Sequence, residues 1–281
     1  SASGCDRWNF ALLRAAVHNN AAIGKEGMVG KLACLIQKVL SNTATFSPIL
    51  AGVRGVPLAK PGSDDVRPIG IGSFFGNLVG RVAMKIEDPV MSLPCWQFGC
   101  AKDGPQRAVA RIREMRESGR YVLCVDIKNA FNELDRAVIA SFVERRLGGW
   151  LRQYWNMAYG SPTTVRFQTG NVWEDIIAER GVRQGCPAAS FLYDAITGEV
   201  ISAVSLGFPG VEIVAIHDDL TLASIDIHAL MACFAALETE LEKVGLTINS
   251  NKSELLPKDW EEVMDPTACI PDSLRIVRSE G

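Results

Sequence analysis

Apolar residues recur at helical spacing over 7–20 and again over 26–41, with Asn and Gly between, so the chain opens with two predicted helices. Two short β-branched runs follow, 53–59 (VRGVPLA) and 66–71 (VRPIGI). The turn-forming PGSDD at 61–65 lies between them, which predicts a hairpin. Helical spacing returns at 74–87 and at 104–118. Residues 121–126 (YVLCVD) form a dense apolar run that ends in Asp, the pattern of a buried strand. Further helices are predicted at 135–147, 150–157 and 188–205, with strands at 162–168 and 174–180. The runs 211–216 (VEIVAI) and 220–224 (LTLAS) leave only His217, Asp218 and Asp219 between them, a tight hairpin. A helix at 227–244, capped by Gly245, leads to a last strand at 253–256.

From Tyr121 onward, strands and helices alternate in an order that suits an antiparallel sheet with helices on one face, the α+β layout. Residues 1–120 are expected to form a separate, helix-rich lobe with a hairpin, and residues 257–281 a short tail. The pattern shows no internal repeat.

Composition refines this picture. The chain has 281 residues, 48% hydrophobic and 22% charged, which is that of a globular protein with a substantial core. The longest apolar runs are far too short to cross a bilayer. Eight cysteines stand at 5, 34, 95, 100, 124, 186, 233 and 269 with no CxxC pair, so they are expected to be buried free thiols of a reducing compartment. A net charge of −3 runs against a wholly basic nucleic-acid-binding surface, but a local basic groove is compatible with it. Arg54, Lys60, Arg67 and Arg81 concentrate in the first lobe, and Arg107, Arg111 and Arg113 recur on one helix, where a solvated face and a template groove are equal readings.

The chemistry lies in the carboxylates. Asp126 ends a buried strand, and Asp218 and Asp219 fill the turn of an apolar hairpin. Like charges gathered at strand ends repel each other unless a cation joins them. Two divalent ions about 3.5–4 Å apart, held by shared carboxylates, serve in-line phosphoryl transfer. Each Asp alone is an ordinary turn residue; their combination points to a metal centre.

At this point the residues match a known pattern. The chain resembles the reverse transcriptases of non-LTR retrotransposons, especially the site-specific elements of protists. VDIKNAF at 125–131 resembles the first palm motif, which implies that Asp126 is a metal ligand and Phe131 the steric gate against a 2′-hydroxyl. GVRQGCP at 181–187 is similar to the second motif, implying that Gly181, Gln184, Gly185 and Pro187 serve the template and nucleotide. Cys186 stands where the family usually has a polar residue. IHDD at 216–219 resembles the third motif, implying Asp218 as ligand and Asp219 as support. Here Ile216 replaces the usual aromatic, and His217 reads as a solvated turn residue. GLTINSNKSE at 245–254 is similar to the fourth motif, with Lys252 near the triphosphate, and PLAKPGSDDVRPI at 57–69 to the fingers hairpin, with Lys60 and Arg67 on the phosphates.

The resemblance implies a right-hand polymerase: fingers over 1–120, palm over 121–256 with the 188–205 helix bordering the fingers, and a tail over 257–281 that stops before a primer grip and thumb. It implies two Mg²⁺ ions, with Mn²⁺ as an alternative, an RNA template, a DNA primer, deoxynucleoside triphosphates, and an intracellular location, nuclear for a eukaryotic retroelement. The competing readings are an RNA-dependent RNA polymerase, against which Phe131 speaks, and a domesticated palm that binds RNA or protein, for which Ile216 and His217 speak.

Overall fold

A computed structural model describes residues 6–18, 27–41, 48–59, 66–258 and 266–277. In chain order its elements are helices α1 (Phe10–His18), α2 (Met28–Leu40) and α3 (Pro48–Ala51), strands β1 (Val53–Ala59) and β2 (Val66–Gly72), and helices α4 (Phe74–Glu87) and α5 (Gly104–Glu117). Strand β3 (Tyr121–Val125), the short α6 (Ala130–Glu133), α7 (Arg136–Arg146), α8 (Gly149–Tyr159), β4 (Thr163–Thr169) and β5 (Val172–Ala178) follow. Then come α9 (Ala189–Ser205), β6 (Glu212–Ile216), β7 (Asp219–Ser224), α10 (Ile227–Glu242), β8 (Glu254–Leu256) and β9 (Arg275–Ile276). The fold is α+β, and most predicted elements appear within a few residues of their expected bounds. No helix among the described residues is long and apolar enough to cross a membrane.

The chain divides into two compact units, Ser1–Asp88 with Arg136–Ala189, and Pro89–Asp135 with Ser190–Gly281. The sequence pattern suggests one boundary near 120; strand pairing groups the chain differently. β4 and β5 join the β1–β2 hairpin in a four-stranded sheet of order β2-β1-β4-β5, with β1 parallel to β4. Period-two alternation cannot show which sheet a strand joins, because it records only that one face is drier than the other.

In the first unit, Ser73 caps α4: its Oγ accepts from the Gly76 N–H at 3.0 Å and donates to the Leu50 carbonyl at 2.9 Å. Glu87, near the end of α4, accepts from the N–H groups of Trp150 and Leu151 at 2.7 and 3.0 Å. A carboxylate at the first turn of α8 fills orphan donors there and suits the positive end of the helix dipole.

The second unit holds a five-stranded sheet of order β6-β7-β3-β8-β9. It is antiparallel except where β8 meets β9, so the segment expected to be only a tail contributes the edge strand Arg275–Ile276. Helix α5 covers one face, where Phe98, Ala108 and Met115 pack with Val122, Val214 and Ala223. The opposite face is buried too: Leu123 and Leu222, which are paired, are both fully inaccessible. Burial on both faces explains why 121–126 reads as a continuous apolar run rather than an alternating one. Arg111 ion-pairs with Glu114 at 2.6 Å and also with Glu212, so this arginine is neutralised within its own unit.

Candidate active site: three aspartates at one end of the second sheet

β3 and β7 are neighbours with Val125 opposite Leu220. Asp126 therefore leaves β3 at the same end of the sheet where Asp219 enters β7. Ile216 pairs with Asp219, so the connection is a two-residue turn of His217 and Asp218, one residue shorter than the sequence suggests. Asp219 is exposed and Asp218 half-buried. The Asp218 carboxyl is pushed above the usual carboxylate range, chiefly by burial and further by the negative charges of Asp219 and Asp126, while its own N–H and His217 act the other way. Asp126 and Asp219, which come from two distant parts of the chain, thus both act on the Asp218 carboxyl, and all three offer the oxygen ligands that a hard divalent cation prefers.

The backbone of Asp126 is fastened from the segment after Gly245. Its N–H donates to Ser253 Oγ at 3.0 Å, and its carbonyl accepts from the Asn249 N–H at 2.7 Å. Ser253 is fully buried and donates in turn to the Asn249 carbonyl at 3.0 Å. Lys252 is exposed in the turn Ser250–Lys252. In this segment the sequence directs attention to the lysine, whereas the structure gives the serine the contact with Asp126. A buried serine beside a strand has no distinctive sequence signal.

Phe131, on α6, stacks on Tyr193 of α9 with centroids 4.6 Å apart and planes inclined by 26°, and meets the His217 ring edge-on at 6.1 Å. The Tyr193 hydroxyl is buried without a hydrogen-bond partner among the described residues. Burial first, and then the charges of Asp218, Asp194 and Asp219, hold its pKa well above the ordinary tyrosine value. An orphaned buried hydroxyl facing those charges fits a site that a cation with its water, or a nucleotide, completes.

His217 differs most from expectation. It is not a solvated turn residue: its Nδ1 lies 3.1 and 3.0 Å from the two carboxylate oxygens of Asp194, which is completely buried. That partner raises the imidazole's pKa, so the ring carries positive charge more readily than a free histidine. The residue adopts φ 57°, a conformation usually given to glycine in two-residue hairpins. Ile216 packs against the α5-side core. A two-residue turn aims the side chains around it, and the partner of His217 lies 23 residues earlier in the chain, so spacing could not reveal it.

In the first unit, Gly181 and Gly185 have φ of 64° and 103°, consistent with the backbone freedom expected of them. Gln184 is half-buried, and α9 begins at Ala189, two residues after Pro187. Arg183, between them, stacks on the Tyr159 ring at 4.6 Å, while its N–H donates to the Tyr159 hydroxyl at 3.0 Å. Cys186 Sγ lies 3.2 Å from the Tyr154 hydroxyl. Lys60 falls outside the described residues; Arg67 is opposite Leu58 in the β1–β2 ladder. The cysteines are free among the described residues, but the expectation of burial holds only in part: Cys233 is buried, whereas Cys34, Cys95 and Cys269 are exposed.

Residues 58–262 match the family described as reverse transcriptase (RNA-dependent DNA polymerase). The chain is 26% identical over 206 residues to a retrovirus-related Pol polyprotein from the type-1 retrotransposable element R2 of Popillia japonica, a match covering 66% of this chain and 29% of that protein. It is also 26% identical over 203 residues to the retrotransposable element SLACS 132 kDa protein of Trypanosoma brucei gambiense, covering 71% and 17% respectively. The chain therefore spans under a third of the length of these relatives. Among solved structures, apo telomerase from Candida tropicalis, truncated from its C-terminal domain, superposes with TM-score 0.55 at 11% identity over 75% of this chain and 51% of the other, a likeness of fold.

Proposed function

Because this chain belongs to the reverse transcriptase (RNA-dependent DNA polymerase) family, we propose that it copies an RNA template into DNA by adding deoxynucleotides to a primer 3′-hydroxyl. The observation that carries the reading is the register that brings Asp126, Asp218 and Asp219 to one sheet end, where burial and the charges of Asp219 and Asp126 push the Asp218 carboxyl above the usual carboxylate range.

Asp126 and Asp218 would hold the divalent ions, with Asp219 supporting them. Bound there, the ions would supply Lewis acidity at the attacking hydroxyl and the leaving phosphate. The residues do the positioning. Ser253 and Asn249 fix the Asp126 backbone, and the hairpin register fixes the Asp218 turn. Phe131, braced on Tyr193, would exclude ribose by occupying the space of a 2′-hydroxyl. The family resemblance extends the proposal to Gly181, Gln184, Gly185 and Pro187 on the template side, and to Lys60, Arg67 and Lys252 at the triphosphate. Cations at those oxygens stabilise charge that develops in transfer.

The test is primer extension on an RNA template with Mg²⁺, using deoxynucleotides and ribonucleotides in parallel. The reading expects deoxynucleotide extension that disappears in Asp126→Asn. Extension by that variant, or a preference for ribonucleotides, would overturn it.

A further inference from the structure

Beside the carboxylate cluster lies a second group of different chemistry. Cys100 Sγ is 3.3 Å from Asp194 Oδ2, and His217 Nδ1 is 3.0 Å from the same oxygen. The thiol sulfur, a carboxylate oxygen and the imidazole nitrogen all lie within 4.8 Å of one another. We infer that Cys100, Asp194 and His217 form a site for one zinc-class divalent ion, separate from the oxygen-only cluster of Asp126, Asp218 and Asp219.

The distances fit. Zinc bonds of about 2.0–2.3 Å at tetrahedral angles place ligand atoms roughly 3.3–3.6 Å apart. The observed edges of 3.0 and 3.3 Å need to open by only a few tenths of an ångström. Three ligands leave a fourth position for water.

The site is also built in advance. Asp194 is fully buried on α9, and Cys100 is half-buried in the loop before α5. His217 is held in its left-handed conformation by Gln97, a buried side chain whose Oε1 accepts the His217 N–H at 3.1 Å. Room for the ring comes from Gly99, where a Cβ would stand 2.3 Å from His217 Nδ1. Three separate segments converge, and the only space a side chain at 99 could use is already given to the imidazole.

Ligand type separates the two sites. Thiolate and imidazole select zinc-class ions, whereas an all-carboxylate cluster suits magnesium. In the metal-free protein the thiol proton and the Nδ1 proton bridge to Asp194. On metal binding Cys100 enters as thiolate and His217 through its Nδ1 lone pair, and both protons leave to solvent. Because His217 directly precedes Asp218 and its ring abuts Phe131, the ion would pin the turn that carries Asp218.

The experiment is calorimetric titration of the chelator-treated chain with Zn²⁺ in excess Mg²⁺, together with the absorption spectrum after Co²⁺ is substituted. The expected result is one tight Zn²⁺ per chain, unchanged in Asp126→Asn and lost in both Cys100→Ser and Asp194→Asn. Co²⁺ should give a thiolate charge-transfer band in the unaltered chain, which needs no variant to fold. No binding above Mg²⁺ background, a Co²⁺ complex without that band, or a band that persists in Cys100→Ser would overturn the inference. Primer extension with Mg²⁺ alone reports on the carboxylate cluster independently, so the two readings fail separately.

Discussion

Gln97 clasps His217 from both sides of its backbone, 120 residues away in sequence: its Oε1 accepts the His217 N–H at 3.1 Å, and its Nε2 donates to the His217 carbonyl at 3.4 Å. The same Oε1 accepts the Gly99 N–H at 2.8 Å. One buried amide therefore satisfies three backbone groups at the turn next to Asp218. Gln97→Ala leaves two N–H groups without their partner, each costing about 1–3 kcal/mol where it stays dry. Chemical denaturation should show a midpoint fall with little change in slope, and primer extension should slow as the turn loosens. A variant with unchanged stability and rate would show that water replaces the amide.

Gly99→Ala tests the same turn sterically. The added methyl would sit 2.3 Å from His217 Nδ1, closer than any real contact. The ring must leave Asp194, which is then a buried carboxylate without its imidazole. Overpacking of this kind costs about 1–3 kcal/mol, and losing the partner of a buried charge adds to it. The expected outcome is a lower melting temperature than that of Gln97→Ala. Equal or higher stability would mean that the loop shifts to admit the methyl.

The motifs were legible because their chemistry is local. Asp126 ends an apolar run, and Asp218 and Asp219 sit in a hairpin, so the pattern marks acids at strand ends, their combination points to a shared site, and the β3–β7 register brings those ends together. The groups that hold them were not legible. Gln97 and Ser253 are single buried polar residues in unremarkable segments, and a sequence does not show that a polar side chain is dry until its neighbours are known. His217 shows the same limit: a turn position predicts solvent, and only the fold reveals Asp194 beneath it. Strand period likewise identified β4 and β5 but not that they extend the β1–β2 sheet.

Cysteine reactivity should divide by environment. Burial pushes the Cys233 thiol up to about 11, and burial together with Asp194 pushes Cys100 to about 12. Alkylation proceeds through the thiolate. At pH 8 the native chain should be labelled at exposed Cys34, Cys95 and Cys269, with Cys100 and Cys233 modified only after unfolding. Peptide mass mapping after brief iodoacetamide treatment reads this directly, and rapid native labelling of Cys233 would contradict its burial.

Phe131→Val should relax sugar selection. The ring is braced by Tyr193 at 4.6 Å and by the edge of His217 at 6.1 Å, so it cannot easily retreat from a 2′-hydroxyl. Shortening it opens the space without touching a carboxylate. Steric discrimination of this size in an apolar pocket is worth roughly 10–200-fold, and the ratio of kcat/KM for ribonucleotide over deoxynucleotide should rise by about that factor. Deoxynucleotide extension should fall much less. An unchanged ratio would remove Phe131 from the selectivity role.

Deleting the charge of Asp218 should separate stability from activity. Burial and the charges of Asp219 and Asp126 all disfavour its ionised form, so in the metal-free chain at neutral pH the carboxylate opposes folding. Asp218→Asn keeps the shape and removes that repulsion, and the metal-free variant should melt at a higher temperature than the parent. Primer extension should fall by at least ~10²-fold, because charge developing in transfer loses its organised partner. Saturating Mg²⁺ should raise the parent's melting temperature more than the variant's, since binding to the folded state alone stabilises it by mass action. The comparison needs only thermal melts of both proteins with and without the ion. A variant that melts lower without metal, or a parent indifferent to Mg²⁺, would mean that the three carboxylates at the end of β3 and β7 do not act as one cation site.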